Sequence, residues 1–257
     1  MSTSELTAAR AALRERQGSG ARYDSPAAPA RELEWARRGT AYFARVLSQT
    51  SDAELRRPSA LPGWSKAALV AHVGYNARAL TRLCEWARTG VRNPMYSSPE
   101  ARMAEIRRGE SLPPRALRHL AHHAAIHLDV EWRDLDAAAW DASVVTAQGR
   151  TVPARETVWM RTREVWVHAA DLGGSFRRFP REVLDALLKD VVTVWERRDC
   201  VPDLQVHLVD QDRTVTIGDG GPTVAGSTAD VVRWMTGRGA VRLDTDGFDL
   251  SGLPPWL

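Results

Sequence analysis

Lysine is almost missing from this chain of 257 residues: Lys66 and Lys189 are the only two, and arginine supplies the rest of the 35 basic residues that face 32 acidic ones. The net charge is only +3, and the two signs are interleaved with no basic block or stripe, so a nucleic-acid partner is not expected. Cysteine is equally scarce. Cys84 and Cys200 lie far apart without CxxC spacing, which reads as two reduced thiols of a cytoplasmic protein rather than a disulfide or a metal pair. No apolar run reaches about 18 residues, so no membrane span is expected. Met1 to Gln17 carries charges where a signal peptide needs an apolar centre, so secretion is not expected either. There is no internal repeat.

What is present is the mixture of a soluble globular protein, 44% hydrophobic and 26% charged, long enough for one large domain or two ordinary ones. Residues 1–30 open with a short helical pattern, Leu6 to Leu13. They then pass through Gly18-Ser19-Gly20 and Ser25-Pro26-Ala27-Ala28-Pro29, a composition that marks a flexible tail. From Arg31 to about Thr50, Leu33, Ala36, Tyr42 or Phe43, Val46 and Leu47 keep a helical period. Pro62-Gly63 favours a turn, and Ser65 is placed to cap a second helix from Lys66 to about Thr89, with Gly90 at its end. The connection Val91 to Pro114, with a short helical piece from Glu100 to Arg108, is long enough to be functional and is expected to cover the mouth of a pocket. A third helix, Arg115 to Leu135, and a fourth, starting at Pro153 and ending near Leu172 before Gly173-Gly174, complete a four-helix bundle.

After Pro180 the texture changes. A helix over Arg181 to Arg197 is followed by alternating β-type stretches at Leu204 to Val209 and Thr214 to Ile217, an extended piece around Val224, a helix from Thr228 to Thr236, and a last extended piece, Ala240 to Leu243. The division expected is therefore a tail over 1–30, a bundle over 31–178 and a small α+β domain over 179–257.

Within the fourth helix, Glu164 and His168 are four residues apart and share one face. Such a pair is an ordinary surface arrangement; it can also hold one metal ion, with His72 on the second helix as the best third ligand. Two histidines and one glutamate form a zinc set that leaves a coordination position open, as in catalytic rather than structural sites. A competing row, His119, His123, His127 and Glu131, lies along one face of the third helix and is compatible with a second metal site or a solvated face. Asn76, one turn after His72, could orient a ligand or serve packing. Trp64 and Trp159 read as core or pocket wall, and Arg163 and Asp171 either as partners of the ligating residues or as solvated surface groups.

Several segments together carry a resemblance. Leu61-Pro62-Gly63-Trp64-Ser65, Val70-Ala71-His72-Val73, Met95-Tyr96, Ser98-Pro99-Glu100-Ala101-Arg102, Trp159 to His168, Trp234 to Gly239 and the closing Leu253 to Leu257 resemble the mycothiol-dependent maleylpyruvate isomerase family, over residues 31 to 257. The resemblance implies a DinB-like four-helix bundle followed by a smaller α/β domain, and a divalent metal, usually zinc, on His72, Glu164 and His168. It also implies an arginine from the C-terminal domain, with Arg238 the first choice and Arg242 the second, and mycothiol as thiol cofactor, with Asn76 and Arg238 the candidate contacts. The implied reaction is isomerisation of maleylpyruvate to fumarylpyruvate. A coordinated thiol is held as thiolate; its addition makes the double bond single, rotation follows, and loss of the thiol restores the trans alkene. The same site would serve a mycothiol S-transferase or thiol-exchange enzyme acting on another electrophile, or a non-catalytic metal-binding module. The expected partners are the small thiol and an anionic electrophile, with no nucleic acid or membrane, and the chain is expected to be a monomer.

Overall fold

The structure, a computed structural model, describes residues 23–256 without interruption and a few positions between 2 and 12. The sequence expectations for Gly18-Ser19-Gly20, and in part for Leu6 to Leu13, lie outside the described residues. The chain divides into two compact units, residues 1–172 and 173–257.

The first unit is a helical bundle built from α1 (Ala30–Gln49), α3 (Lys66–Thr89), α5 (Pro114–Asp134) and α7 (Glu156–Leu172), with the short helices α2 (Asp52–Leu55), α4 (Pro99–Glu110) and α6 (Ala137–Asp141) between them. The starts follow from local chemistry. Ser65 accepts from the Ala68 amide at 3.0 Å and Ser98 from the Ala101 amide at 3.1 Å, each satisfying a backbone donor that the first turn leaves unpaired. Pro99 and Pro114 stand at the first helical position, where the missing N–H costs nothing. Gly90 ends α3 with φ 73°, a left-handed cap that favours glycine.

Around the bundle α1 packs chiefly on α7 and α3 chiefly on α5, while α3 and α7 face each other. The amphipathic stripe of α1 buries Leu33, Ala36, Phe43, Val46 and Leu47. Gly39 lets α1 come close to α7, because a Cβ there would stand 2.6 Å from both Trp166 Nε1 and Val165 Cγ2. In the same way Gly109 lets α4 lie on α3, where a Cβ would meet the Ala71 Cβ at 2.5 Å. α3 is covered by α4, α5 and α7, which is why its buried residues run almost all the way round it. Between α1 and α5, which barely touch, an apolar cavity of about 180 Å³ is lined by Phe43, Leu47, Val73, Ala121 and Val165 among others.

The fourth bundle helix begins at Glu156 rather than Pro153. Pro153 instead ends β2 (Thr151–Pro153), which pairs antiparallel with β1 (Ser143–Val145); a residue without an N–H is tolerated at the edge of a two-stranded ribbon.

The second unit carries α8 (Arg181–Arg197), β3 (Leu204–Leu208), β4 (Arg213–Ile217), β5 (Thr223–Gly226), α9 (Thr228–Met235) and β6 (Asp244–Thr245). Its sheet order is β4-β3-β5-β6, with β3 and β5 parallel and the outer pairs antiparallel. Leu204, Val206 and Leu208 turn inward from β3, in the alternation expected of a half-buried strand. The last extended piece falls at Asp244–Thr245 rather than Ala240 to Leu243, because Arg242 takes φ 55° and breaks the extended run before it can pair. Mainly helical, with a small C-terminal sheet, the chain has the fold class its sequence implied.

Candidate metal centre

The first two turns of α3 carry His72 and the second half of α7 carries Glu164 and His168, and the close approach of these two helices brings the three together. One oxygen of Glu164, Oε2, lies 2.9 Å from His72 Nε2 and 3.1 Å from His168 Nε2. The two imidazoles stand nearly perpendicular, their centroids 5.1 Å apart. Ligand atoms of all three residues lie within 4.8 Å of one another, the only such group of three among the described residues.

This donor set fits a divalent ion. Zinc bonds of about 2.1 Å in a tetrahedral arrangement separate neighbouring donor atoms by roughly 3.3 Å, and the two N···O distances fall within a few tenths of that. Two imidazoles and one carboxylate also leave a position open.

The surroundings orient the donors. His168 Nδ1–H donates to Asp171 Oδ2 at 2.8 Å, and the Asp171 carboxylate is wholly buried. An ionised carboxylate only accepts, so this bond places a proton on Nδ1 and leaves Nε2 as the nitrogen that faces Glu164. Burial pushes His72 below the usual histidine value, which keeps it a neutral donor. Burial also acts to lower His168, but its bonds to Asp171 and Glu164 prevail and raise it. Burial by itself would raise the Glu164 carboxyl, yet the two adjoining histidines hold it well below the usual range.

Beneath the cluster lies Arg161, which is 2% exposed. Its Nη1 donates to the Val73 carbonyl at 2.7 Å and to Asn76 Oδ1 at 3.0 Å. Burial lowers its pKa to about 10, with Glu164 acting the other way, so it remains a cation at neutral pH. Asn76 therefore does not join the donor cluster: it is buried, and its amide oxygen serves Arg161.

The long connection closes over the same site. Arg102, on α4, places Nη2 3.4 Å from His72 Nδ1, and its guanidinium carbon lies 6.0 Å from the centre of the Tyr96 ring. Burial pushes the Tyr96 hydroxyl up to about 12. Trp64 meets the His72 ring edge-on at 5.5 Å, a wall of the site as its place beside the turn suggested.

Of the other sequence candidates, the histidine row on α5 stacks His119 on His123 at 5.9 Å and brings His127 Nε2 to 3.5 Å from Glu131. It gathers no group of three ligand atoms. Arg238 and Arg242 belong to the second unit, just beyond α9; Arg238 Nη1 donates to the Thr236 carbonyl at 2.6 Å. Arg161 and Arg102 were not singled out from sequence. Arg161 stands three residues before Glu164, on a face that the apolar period marks as buried, and a charge in that position was the available signal.

A helical bundle with an open donor set of two histidines and one glutamate between two facing helices, followed by a small α+β unit, defines the class of protein. Comparison with known proteins gives the family. Residues 36–173 match the sequence profile of the mycothiol maleylpyruvate isomerase N-terminal domain. Two solved structures, a mycothiol-dependent maleylpyruvate isomerase and a histidine-to-alanine mutant of that enzyme, each share 41% identity with the chain at a TM-score of 0.83, covering 88% of it and 96% of their own length. No curated protein matches. The chain belongs to the mycothiol-dependent maleylpyruvate isomerase family, and it is an enzyme of that family.

Proposed function

We propose that the chain isomerises maleylpyruvate to fumarylpyruvate with mycothiol as its thiol cofactor and with zinc on His72, Glu164 and His168. The observation that carries the reading is the convergence of both histidine Nε2 atoms on a single Glu164 oxygen, in a chain 41% identical to a mycothiol-dependent maleylpyruvate isomerase. A bound divalent ion would supply the Lewis acidity that keeps the cofactor sulfur as thiolate at neutral pH.

The protein's own residues prepare that chemistry. Asp171 holds the Nδ1 proton of His168, which leaves Nε2 as the nitrogen that would meet a metal ion. Glu164 is ionised and contributes negative charge; Arg161 beneath it supplies a buried positive charge that offsets it. The proposed nucleophile is the mycothiol sulfur and not Cys84. Cys84 is buried and its thiol is pushed up to about 12 by burial, so it cannot serve as a thiolate near neutral pH. Arg238, with Arg242 as the second choice, is the proposed arginine of the C-terminal domain, here taken as residues 179–257 following a bundle of 31–178. Its role is to stabilise the enolate charge that develops as the thiolate adds.

The test is an assay of the zinc-loaded protein with maleylpyruvate, with and without mycothiol, following fumarylpyruvate by absorbance. Turnover that depends on mycothiol is expected. Equal turnover without any thiol would refute the cofactor role, and no isomerisation alongside thiol consumption with a panel of electrophiles would replace the isomerase by a transferase.

A further inference from the structure

Several arginines of this unit pair with carboxylates: Arg82 with Glu105 at 2.8 Å, Arg37 with Asp24 at 2.6 Å and with Asp129 at 2.7 Å. Among the described residues Arg102 has no carboxylate partner. Its polar contacts are the His72 Nδ1 at 3.4 Å, a long and weak contact, the Met103 sulfur at 3.9 Å and the Tyr96 hydroxyl, with the Tyr96 ring alongside. Yet its position is well defined. Ser98 caps α4, and Gly109 seats α4 directly on α3 against Ala71, one residue before His72.

We infer that Arg102 is the anchor for a carboxylate group of the electrophilic substrate, an inference that rests on the metal reading of His72, Glu164 and His168. The geometry leads there: the Arg102 guanidinium stands beside the donor set, held by His72 Nδ1 and by the hydroxyl and ring of Tyr96, and no carboxylate of the described residues lies within ion-pair distance of it. An arginine fork suits a planar carboxylate, and Tyr96 flanks the guanidinium on its ring face, restricting its movement. Arg102 would thus hold one end of a maleyl-type dianion beside the open position, leaving the other end to other cations.

The experiment uses the full chain loaded with zinc, as wild type, Arg102→Gln and Arg102→Lys. Each is titrated calorimetrically with maleate in the absence of any thiol, so that nothing turns over, and zinc is measured on the same samples. Wild type is expected to bind maleate, Arg102→Gln to bind it at least roughly tenfold more weakly with zinc retained, and Arg102→Lys to recover part of the loss. In turnover, Arg102→Gln should raise KM for the maleyl substrate and leave KM for mycothiol unchanged. Zinc-loaded wild type that ignores maleate, or equal affinity in wild type and Arg102→Gln, would overturn the inference alone. Loss of zinc from Arg102→Gln would overturn it too, since the residue would then support His72 rather than hold substrate. A wild type that takes up no zinc would bring down the metal reading first, and this inference with it.

Discussion

His168 donates through Nδ1 to a carboxylate of Asp171 that no solvent reaches, at 2.8 Å. This bond decides which nitrogen of His168 is free for Glu164 and for an ion. Replacing Asp171 with Asn keeps the shape and removes the charge; zinc affinity should fall about 10- to 100-fold, measured by competition with a chromophoric chelator. Unchanged affinity would show that the backbone alone orients His168.

The three donors should stand or fall together. The purified chain is expected to hold about one zinc, and His72→Ala or His168→Ala to lose most of it, because two remaining ligands make a weak site. Elemental analysis after dialysis against a mild chelator checks this. Full retention in both variants would remove the donor assignment.

Arg238→Ala should lower turnover more than it lowers zinc content, since an arginine that meets the developing charge has no part in holding the metal. Steady-state kinetics and metal analysis on the same preparation separate the two. If neither changes, Arg242 or no arginine of the second unit takes part.

The two thiols should behave differently. Burial holds Cys84 near 12, whereas Cys200 is only half-buried. At pH 8 the native protein is expected to give about one fast-reacting thiol with an aromatic disulfide and the second only in denaturant. Two fast thiols in the native protein would mean that α3 is not packed as described.

Gly39 is the contact point of α1 and α7. Gly39→Ala should destabilise the bundle by about 1–3 kcal/mol through overpacking. The added methyl meets Trp166, whose indole N–H donates to the Trp35 carbonyl at 2.9 Å. Thermal unfolding measures the loss. A melting temperature equal to or above that of wild type would contradict the close approach.

Most of the helices were legible in the sequence because their signals are local. Ser65 and Ser98 cap, Gly90 stops, and apolar residues recur at the helical period, so each element announces itself within a few residues. Pro153 misled for the same reason: a proline suits a helix start and a ribbon edge equally, and only the pairing with Ser143 distinguishes them. Arg242 misled at the other end, where a left-handed residue interrupts a stretch that alternation marks as extended.

The sequence by itself determined the helix pair Glu164 and His168, because i and i+4 share a face whatever surrounds them. It could name His72 as a partner only by residue type and by resemblance. The tertiary structure decided that α3 and α7 come close enough to bring His72 Nε2 within 2.9 Å of Glu164, that Asn76 turns to Arg161, and that α4 carries Arg102 to His72. These relationships join residues tens of positions apart, and no local period encodes them. They depend on packing, on glycines such as Gly39 and Gly109 that allow two helices to touch, and those are properties of pairs of elements rather than of any single stretch.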